Sequence, residues 1–242
     1  MAAKNREKKR QKKTIGRNAS LSLLQAYNIL FARFGPQHWW PGDTPFEIMV
    51  GAVLTQNTAW TNVEKAIANL QHARALDAAV IVSASHEQLA RWLTPSGYFN
   101  IKAKRLKNFC AWYLEQGGYE ALRSWPTARL RAGLLSVNGV GRETADDMLL
   151  YAFNRPVFVI DAYTRRIFSR LGLVDHDASY EALRRYFEET LRAGAGAGRQ
   201  RLIRLFNEYH ALIVVLGKDV CRKRPRCGAC PLAAQCTYPL ES

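Results

Sequence analysis

Leu134–Asp146 reads LLSVNGVGRETAD. Its centre, Asn138-Gly139-Val140-Gly141, separates two helical patterns, PTARLRAGLLSV before it and GRETADDMLLYAF after it. Two glycines around one apolar residue permit a turn too tight for larger side chains, and they let backbone N–H groups come close to a ligand. Val140 is expected to point inward and anchor the turn. The second helix begins just beyond, so its positive end adds to the pull on an anion. A phosphate suits such a nest, and the contact would carry no base specificity. From these residues alone, an ordinary helix–helix turn closed by glycine stays open as the plainer reading.

Outward from this turn the chain reads as helix almost throughout. LSLLQAYNILFARFG repeats apolar residues at three- and four-residue steps and stops at Gly35. HWWPGDTP is a loop with two tryptophans, and PFEIMVGAVLTQNTAW is a helix with Pro45 at an early position. Further helices fit TNVEKAIANLQHA, SHEQLARWL and NIKAKRLKNFCAWYLEQ, then DAYTRRIFSRLGL, SYEALRRYFEETLRA and RQRLIRLFNEYHALIVVLG. PVFVI, residues 156–160, is the one strand-like stretch and reads as an extended connector. The glycines near Ala193–Gly198 separate two helices. The fold class is therefore all-α, with no repeat at a solenoid period.

The 242 residues carry a formal charge of +15, which favours a polyanionic partner. Residues 1–17 place eight Lys and Arg against one acid, Glu7, and the rest of the chain stays basic without them. Residues 1–19 read as a disordered basic tail, either solubilising or a DNA-tethering arm. No apolar run approaches the ~18 residues of a membrane span. The first residues lack the apolar core of a secretory signal, so a cytoplasmic protein is expected.

Asp161 closes the apolar pentad and opens a helix. Aspartate is favoured as an N-cap, where it stabilises by about 1 kcal/mol. The helix dipole and first N–H groups keep such a carboxylate ionised. An ionised carboxylate beside a sugar can stabilise oxocarbenium character and orient a water. Asp146 and Asp147 are expected to face solvent or cap local structure, Glu47 to complement a helix start, and Lys102 and Lys104 to be solvated.

The C-terminal segment CRKRPRCGACPLAAQC holds Cys221, Cys227, Cys230 and Cys236 at spacings of five, two and five. Four thiolates in one short loop can cage a metal centre. The fifth, Cys110, reads as a small buried hydrophobe.

LLSVNGVGRETADDMLLYAF followed by VFVIDAYTRRIF resembles the helix-hairpin-helix and catalytic-aspartate signature of the endonuclease III superfamily of DNA glycosylases. The resemblance runs from about Trp39 to Cys236. WWPGDTPFEIMVGAVLTQNTAW, PSGYFNIKAKRL and GVGRETAD are most similar to its 3-methyladenine branch. It implies two helical lobes. One is a six-helix barrel with the hairpin, residues 44–154. The other joins residues 20–43 to 155–242 and carries an iron–sulfur loop. A cleft between them is expected to hold Asp161 and the tryptophans.

The same resemblance assigns roles. Asp161 is the catalytic aspartate. Asn138, Gly139, Val140, Gly141 and Arg142 bind a DNA phosphate. Trp40 and Trp60 fall near the branch's base-stacking positions, and Trp39 is a further suitable wall, against the reading of all three as core residues; Gln56 fills the gap left by the everted base, against a plain helix-surface amide. Glu143 stands where relatives with lyase activity carry a lysine; a carboxylate cannot form an imine, so water is the expected nucleophile. Ala52 stands where adenine glycosylases carry an acid that protonates the leaving group. A cationic alkylpurine leaves without protonation, and its charge gains from stacking on indole. Leu212 replaces a modified lysine of the branch.

The four cysteines match a [4Fe–4S] pattern whose first spacing is six rather than five, with zinc as the alternative. Their loop carries Arg222, Lys223, Arg224 and Arg226, which suit a phosphate backbone.

The expected activity is a monofunctional DNA N-glycosylase releasing alkylated purines from duplex DNA as a monomer. The alternatives are an oxidised-pyrimidine glycosylase with weak lyase activity and a non-catalytic iron–sulfur DNA-binding module.

Overall fold

The computed structural model describes residues 21–39, 42–196 and 198–238. All regular structure among them is helical. The chain separates into two compact units: Met1–Trp39 with Pro156–Ser242, and Trp40–Arg155. Trp40 and the basic tail, residues 1–19, lie outside the described residues.

In chain order, the first described helix belongs to the unit that contains Met1–Trp39. That first helix, α1 (Leu23–Phe34), opens with a reciprocal cap between Ser22 and Gln25 and stops at Gly35. Next come α2 (Pro45–Leu54), α3 (Trp60–His72), α4 (Ala78–Ser83) and α5 (His86–Leu93). A 3₁₀ turn, Thr94–Ser96, leads to α6 (Phe99–Glu115), then α7 (Gly118–Arg123), α8 (Thr127–Ser136) and α9 (Arg142–Asp147). Helix α9 runs on into a wider turn at Met148–Ala152. Side-chain oxygens of Thr44, Asp77 and Ser85 cap α2, α4 and α5.

The expectation of one helix from Pro45 to Trp60 is corrected. Helix α2 ends at Leu54, Asn57 takes a left-handed backbone (φ 55°), and Trp60 begins α3. Asparagine tolerates that region better than other residues with a side chain, so the turn is local chemistry overriding an apolar pattern. Helices α4 and α7 are short additions that the sequence pattern did not mark.

The core of this unit is mostly aliphatic: Val50, Val53, Leu54, Leu89, Leu106, Leu130, Leu134 and Leu149 are fully buried. Cys110 is buried too, and burial pushes its thiol up. Two polar corrections arise here. Asp146 is fully buried and grips Arg131 through two bonds, 2.7 and 3.0 Å, joining the helices on either side of the hairpin. Lys102 is 1% exposed and donates from Nζ to the Ser96 carbonyl at 2.6 Å. Desolvation, with the nearby Arg105 charge, lowers its pKa to about 8.

The other unit resumes after an extended stretch up to Ile160. It contains α10 (Ala162–Arg170), α11 (Tyr180–Ala195) and α12 (Arg199–Val215), which continues in a wide turn at Leu216–Val220. Helix α11 carries Gly194 within it and ends at Gly196. Its core is aromatic. Phe158 meets Phe187 at 4.7 Å and Phe206 at 5.3 Å, and Phe168 meets Phe187 edge-on at 4.9 Å. The fully buried Tyr209 donates its hydroxyl to the Leu23 carbonyl at 2.7 Å, tying α12 to α1.

Candidate active site, hairpin and cysteine loop

The hairpin joins α8 to α9. Val137 and Val140 are buried, and Val140 N–H closes the turn on the Val137 carbonyl at 3.0 Å. The two glycines do different things. Gly139 has φ 101°, and a Cβ there would lie 2.3 Å from Arg105 Cγ, so conformation and space both exclude a side chain. Gly141 is extended (φ −87°, ψ 179°), with nothing within 4 Å of the Cβ it lacks. The expectation that both glycines serve the tightness of the turn is corrected: Gly141 leaves open space at the start of α9. No side chain caps that start, and Gly141, Arg142 and Glu143 are exposed.

Gln56 belongs to the same unit and is built into the hairpin. Its Nε2 donates to the Gly139 carbonyl at 3.1 Å and to Thr144 Oγ1 at 2.9 Å, while its Oε1 accepts from Arg105. Asn108 Nδ2 donates to the Asn138 carbonyl at 3.1 Å. Trp60 lies partly exposed at the start of α3 with its indole seated on Gly51 of α2: a Cβ at residue 51 would be 3.1 Å from the ring. Tyr98, which the sequence reading left unmarked, is 69% exposed on a left-handed backbone (φ 46°) just before α6. A non-glycine residue there is strained, a signal that dihedrals reveal and composition does not.

In the other unit, Asp161 is the N-cap of α10. Its Oδ1 accepts from Thr164 N–H at 2.6 Å and from Thr164 Oγ1 at 2.7 Å. Its Oδ2 lies 3.5 Å from Nε2 of His210 on α12, and the carboxylate keeps 11% of its surface exposed. Burial pushes its pKa up, but His210, by hydrogen bonding and charge, and the Thr164 donors outweigh it, so the net shift is downward. Trp39 stands near the imidazole, 5.7 Å between ring centres and tilted by 34°. Asp161, His210 and Trp39 thus form one group, while Gln56, Trp60 and the hairpin form another in the other unit.

The cysteine loop hangs on α10. Arg166 donates to the Cys221 and Gly217 carbonyls, both at 2.9 Å. Arg170 donates to the carbonyls of Arg222 at 2.6 Å and Lys223 at 3.0 Å and approaches Cys221 Sγ at 3.4 Å. Cys221, Cys227, Cys230 and Cys236 are free thiols lining one cavity with Val220, Pro225 and Ala233. Burial first, then the other three cysteines, push the Cys230 thiol up. No group of three or more His, Cys, Asp or Glu among the described residues is placed to hold a single metal ion. Arg222, Lys223, Arg224 and Arg226 are exposed. No described helix is long and apolar enough to cross a membrane.

Residues 50–193 match the model of the HhH-GPD superfamily of base excision DNA repair proteins. The chain belongs to this superfamily. As an HhH-GPD protein it is a DNA glycosylase. It is 43% identical over 217 residues to a candidate DNA repair glycosylase of Methanocaldococcus jannaschii, covering 88% of this chain and 95% of that protein. Among solved structures, the H. pylori 3-methyladenine DNA glycosylase bound to 1,N6-ethenoadenine is 30% identical. It has a TM-score of 0.69 and covers 80% of this chain and 97% of that one. A non-covalent endonuclease III–DNA complex, 22% identical with a TM-score of 0.74, covers 90% of this chain and 96% of that one, and shares the fold.

Proposed function

We propose that this HhH-GPD glycosylase is monofunctional and releases alkylated purines from duplex DNA. The observation that carries the reading is that Asp161 is ionised and largely buried in one unit, while in the other the first turn after the hairpin holds a carboxylate, Glu143. In this reading Asp161 stabilises positive charge developing on the sugar and orients the attacking water. An imine needs an amine, which Glu143 lacks, so no covalent strand-cleaving intermediate forms. A base that already carries positive charge leaves without an acid. Trp39 and Trp60 are the proposed stacking surfaces, for which such a base gains a cation–π attraction. The 30% identity to a 3-methyladenine glycosylase supports the same substrate class.

Gln56 is proposed to reach the gap left by the everted base from its anchored position on the hairpin, with exposed Tyr98 as a second contact to stacked bases. Asn138 to Arg142 take the strand's phosphate through backbone donors, with Arg142 adding charge.

The four cysteines fit a [4Fe–4S] cluster. They are unpaired thiols around a common cavity, and at Cys230 burial, then the neighbouring thiols, disfavour ionisation unless a cation compensates. A cluster gives each thiolate its own iron, so it does not require the close set that a single zinc ion does. Once bound, it supplies a rigid cross-link among Cys221, Cys227, Cys230 and Cys236. Arg166 and Arg170 hold the loop backbone to α10, which leaves Arg222, Lys223, Arg224 and Arg226 facing solvent for a phosphate backbone.

The test is base release from duplexes carrying single defined lesions, run with borohydride. Release of 3-methyladenine or ethenoadenine without a trapped adduct is expected. A covalent adduct, or release confined to oxidised pyrimidines, overturns the reading in favour of an endonuclease III-like activity.

A further inference from the structure

We infer that His210 is the positioning residue for Asp161: it holds Oδ2 through Nε2–H while its ring supports Trp39. The inference rests on the glycosylase reading and adds to it a residue that the sequence motif does not contain. His210 is 4% exposed and sits on α12 among buried Tyr209, Ala211 and Leu212. A buried imidazole in apolar surroundings is costly unless its polar edge is used. That edge faces Asp161 Oδ2 at 3.5 Å, whereas Oδ1 is already taken by the two Thr164 donors. The carboxylate thus has Thr164 bound to one oxygen and the imidazole edge facing the other.

The other ionisable groups around this corner have partners of their own. Glu208 accepts from Gln37 N–H at 2.6 Å, and Tyr209 donates to the Leu23 carbonyl. Arg165 donates to the carbonyls of His176 and Ala178, and Arg166 to those of Gly217 and Cys221. Tyr180 accepts from Ile160 N–H at 3.4 Å. Among the described ionisable side chains, His210 is the one that acts on Asp161.

An Nε2–H donor facing Oδ2 supports the anion on the side that Thr164 leaves open. Trp39 leans on the same ring, so a pocket wall and the reacting carboxylate share one support.

Two replacements on the full chain separate these roles. His210→Phe keeps a ring for Trp39 and removes the donor. His210→Gln keeps a donor and removes the ring. Carbon-detected NMR titration of the Asp161 carboxyl, paired with single-turnover base release against pH, reads the outcome. For His210→Phe, the carboxyl titrates at higher pH than in wild type, and the acid limb of base release moves up with it. For His210→Gln, the titration stays near wild type while preference for the lesion duplex over undamaged DNA falls. In wild type, nitrogen NMR is expected to show a proton on His210 Nε2, which keeps the inference testable if a variant does not fold. An Asp161 titration identical in all three proteins, or a His210 with no proton on Nε2, overturns it. Absence of base release by wild type from every lesion duplex would defeat the glycosylase substrate reading, while the NMR result would still decide whether His210 acts on Asp161.

Discussion

The starts of α9 and α10 are built alike and capped by different residues. Each follows a non-helical stretch with its cap extended, and each carries the positive end of a helix dipole. At α9 the cap is Gly141, which offers no side chain and open space. At α10 the cap is Asp161, which fills its own first turn through Thr164. In the proposed function, one start takes an anion brought from outside, and the other carries its anion with it. The same local geometry would then yield a binding surface or a reactive group according to whether the cap residue has a carboxylate.

Replacing Asp161 with Asn gives the largest expected effect. Asparagine is also a good N-cap, so the helix start survives. Base release should fall by about 10²–10⁴-fold, the range of a lost general base, while DNA affinity in a gel-shift titration stays near wild type. Equal loss of affinity and release would mean that the two starts are not functionally distinct.

The hairpin glycines come next. Gly139→Ala forces a side chain into a left-handed position already crowded by Arg105 and should cost about 1–3 kcal/mol in denaturant unfolding, with weaker DNA binding. Gly141→Ala should leave stability within about 0.5 kcal/mol. It should nevertheless weaken DNA binding, because the methyl occupies the approach of a phosphate. Unchanged affinity in Gly141→Ala would show that the open start of α9 is not where the strand is held.

The smallest effects are in stability against pH. The Asp161 pKa is lowered below its ordinary 3.8, so its stabilising contribution is present above that value and is lost as pH falls through the folded-state pKa. The stability difference between wild type and Asp161→Asn should therefore shrink in acid. Lys102 works the other way. Its pKa falls from 10.5 to about 8, so the unfolded chain binds the proton more tightly and stability rises with pH between those values. Lys102→Met should flatten that rise in thermal melts taken from pH 8 upward.

The hairpin, Asp161 and most helix bounds were legible because their signals are local: glycine spacing, a capping aspartate, apolar residues at helical steps. What escaped depends on contacts between distant segments. Asp146 looked like a surface acid until Arg131, fifteen residues earlier, was seen to meet it. Lys102 reads as solvated in sequence because burial of a lysine is decided by the 3₁₀ turn at Thr94–Ser96, whose Ser96 carbonyl accepts its hydrogen bond. His210 lies forty-nine residues from Asp161, and its relation to the carboxylate requires α12 to pack beside α10. The break at Asn57 was readable in principle, since asparagine at a helix end is a common left-handed residue.

Gly51 beneath Trp60 bears on the stacking role proposed for that ring. The indole rests on bare backbone, so one added methyl at residue 51 would act as a shim, lifting the ring by a few tenths of an ångström. Under that proposal the aperture offered to a purine would be adjustable from behind, at a buried position that touches no base.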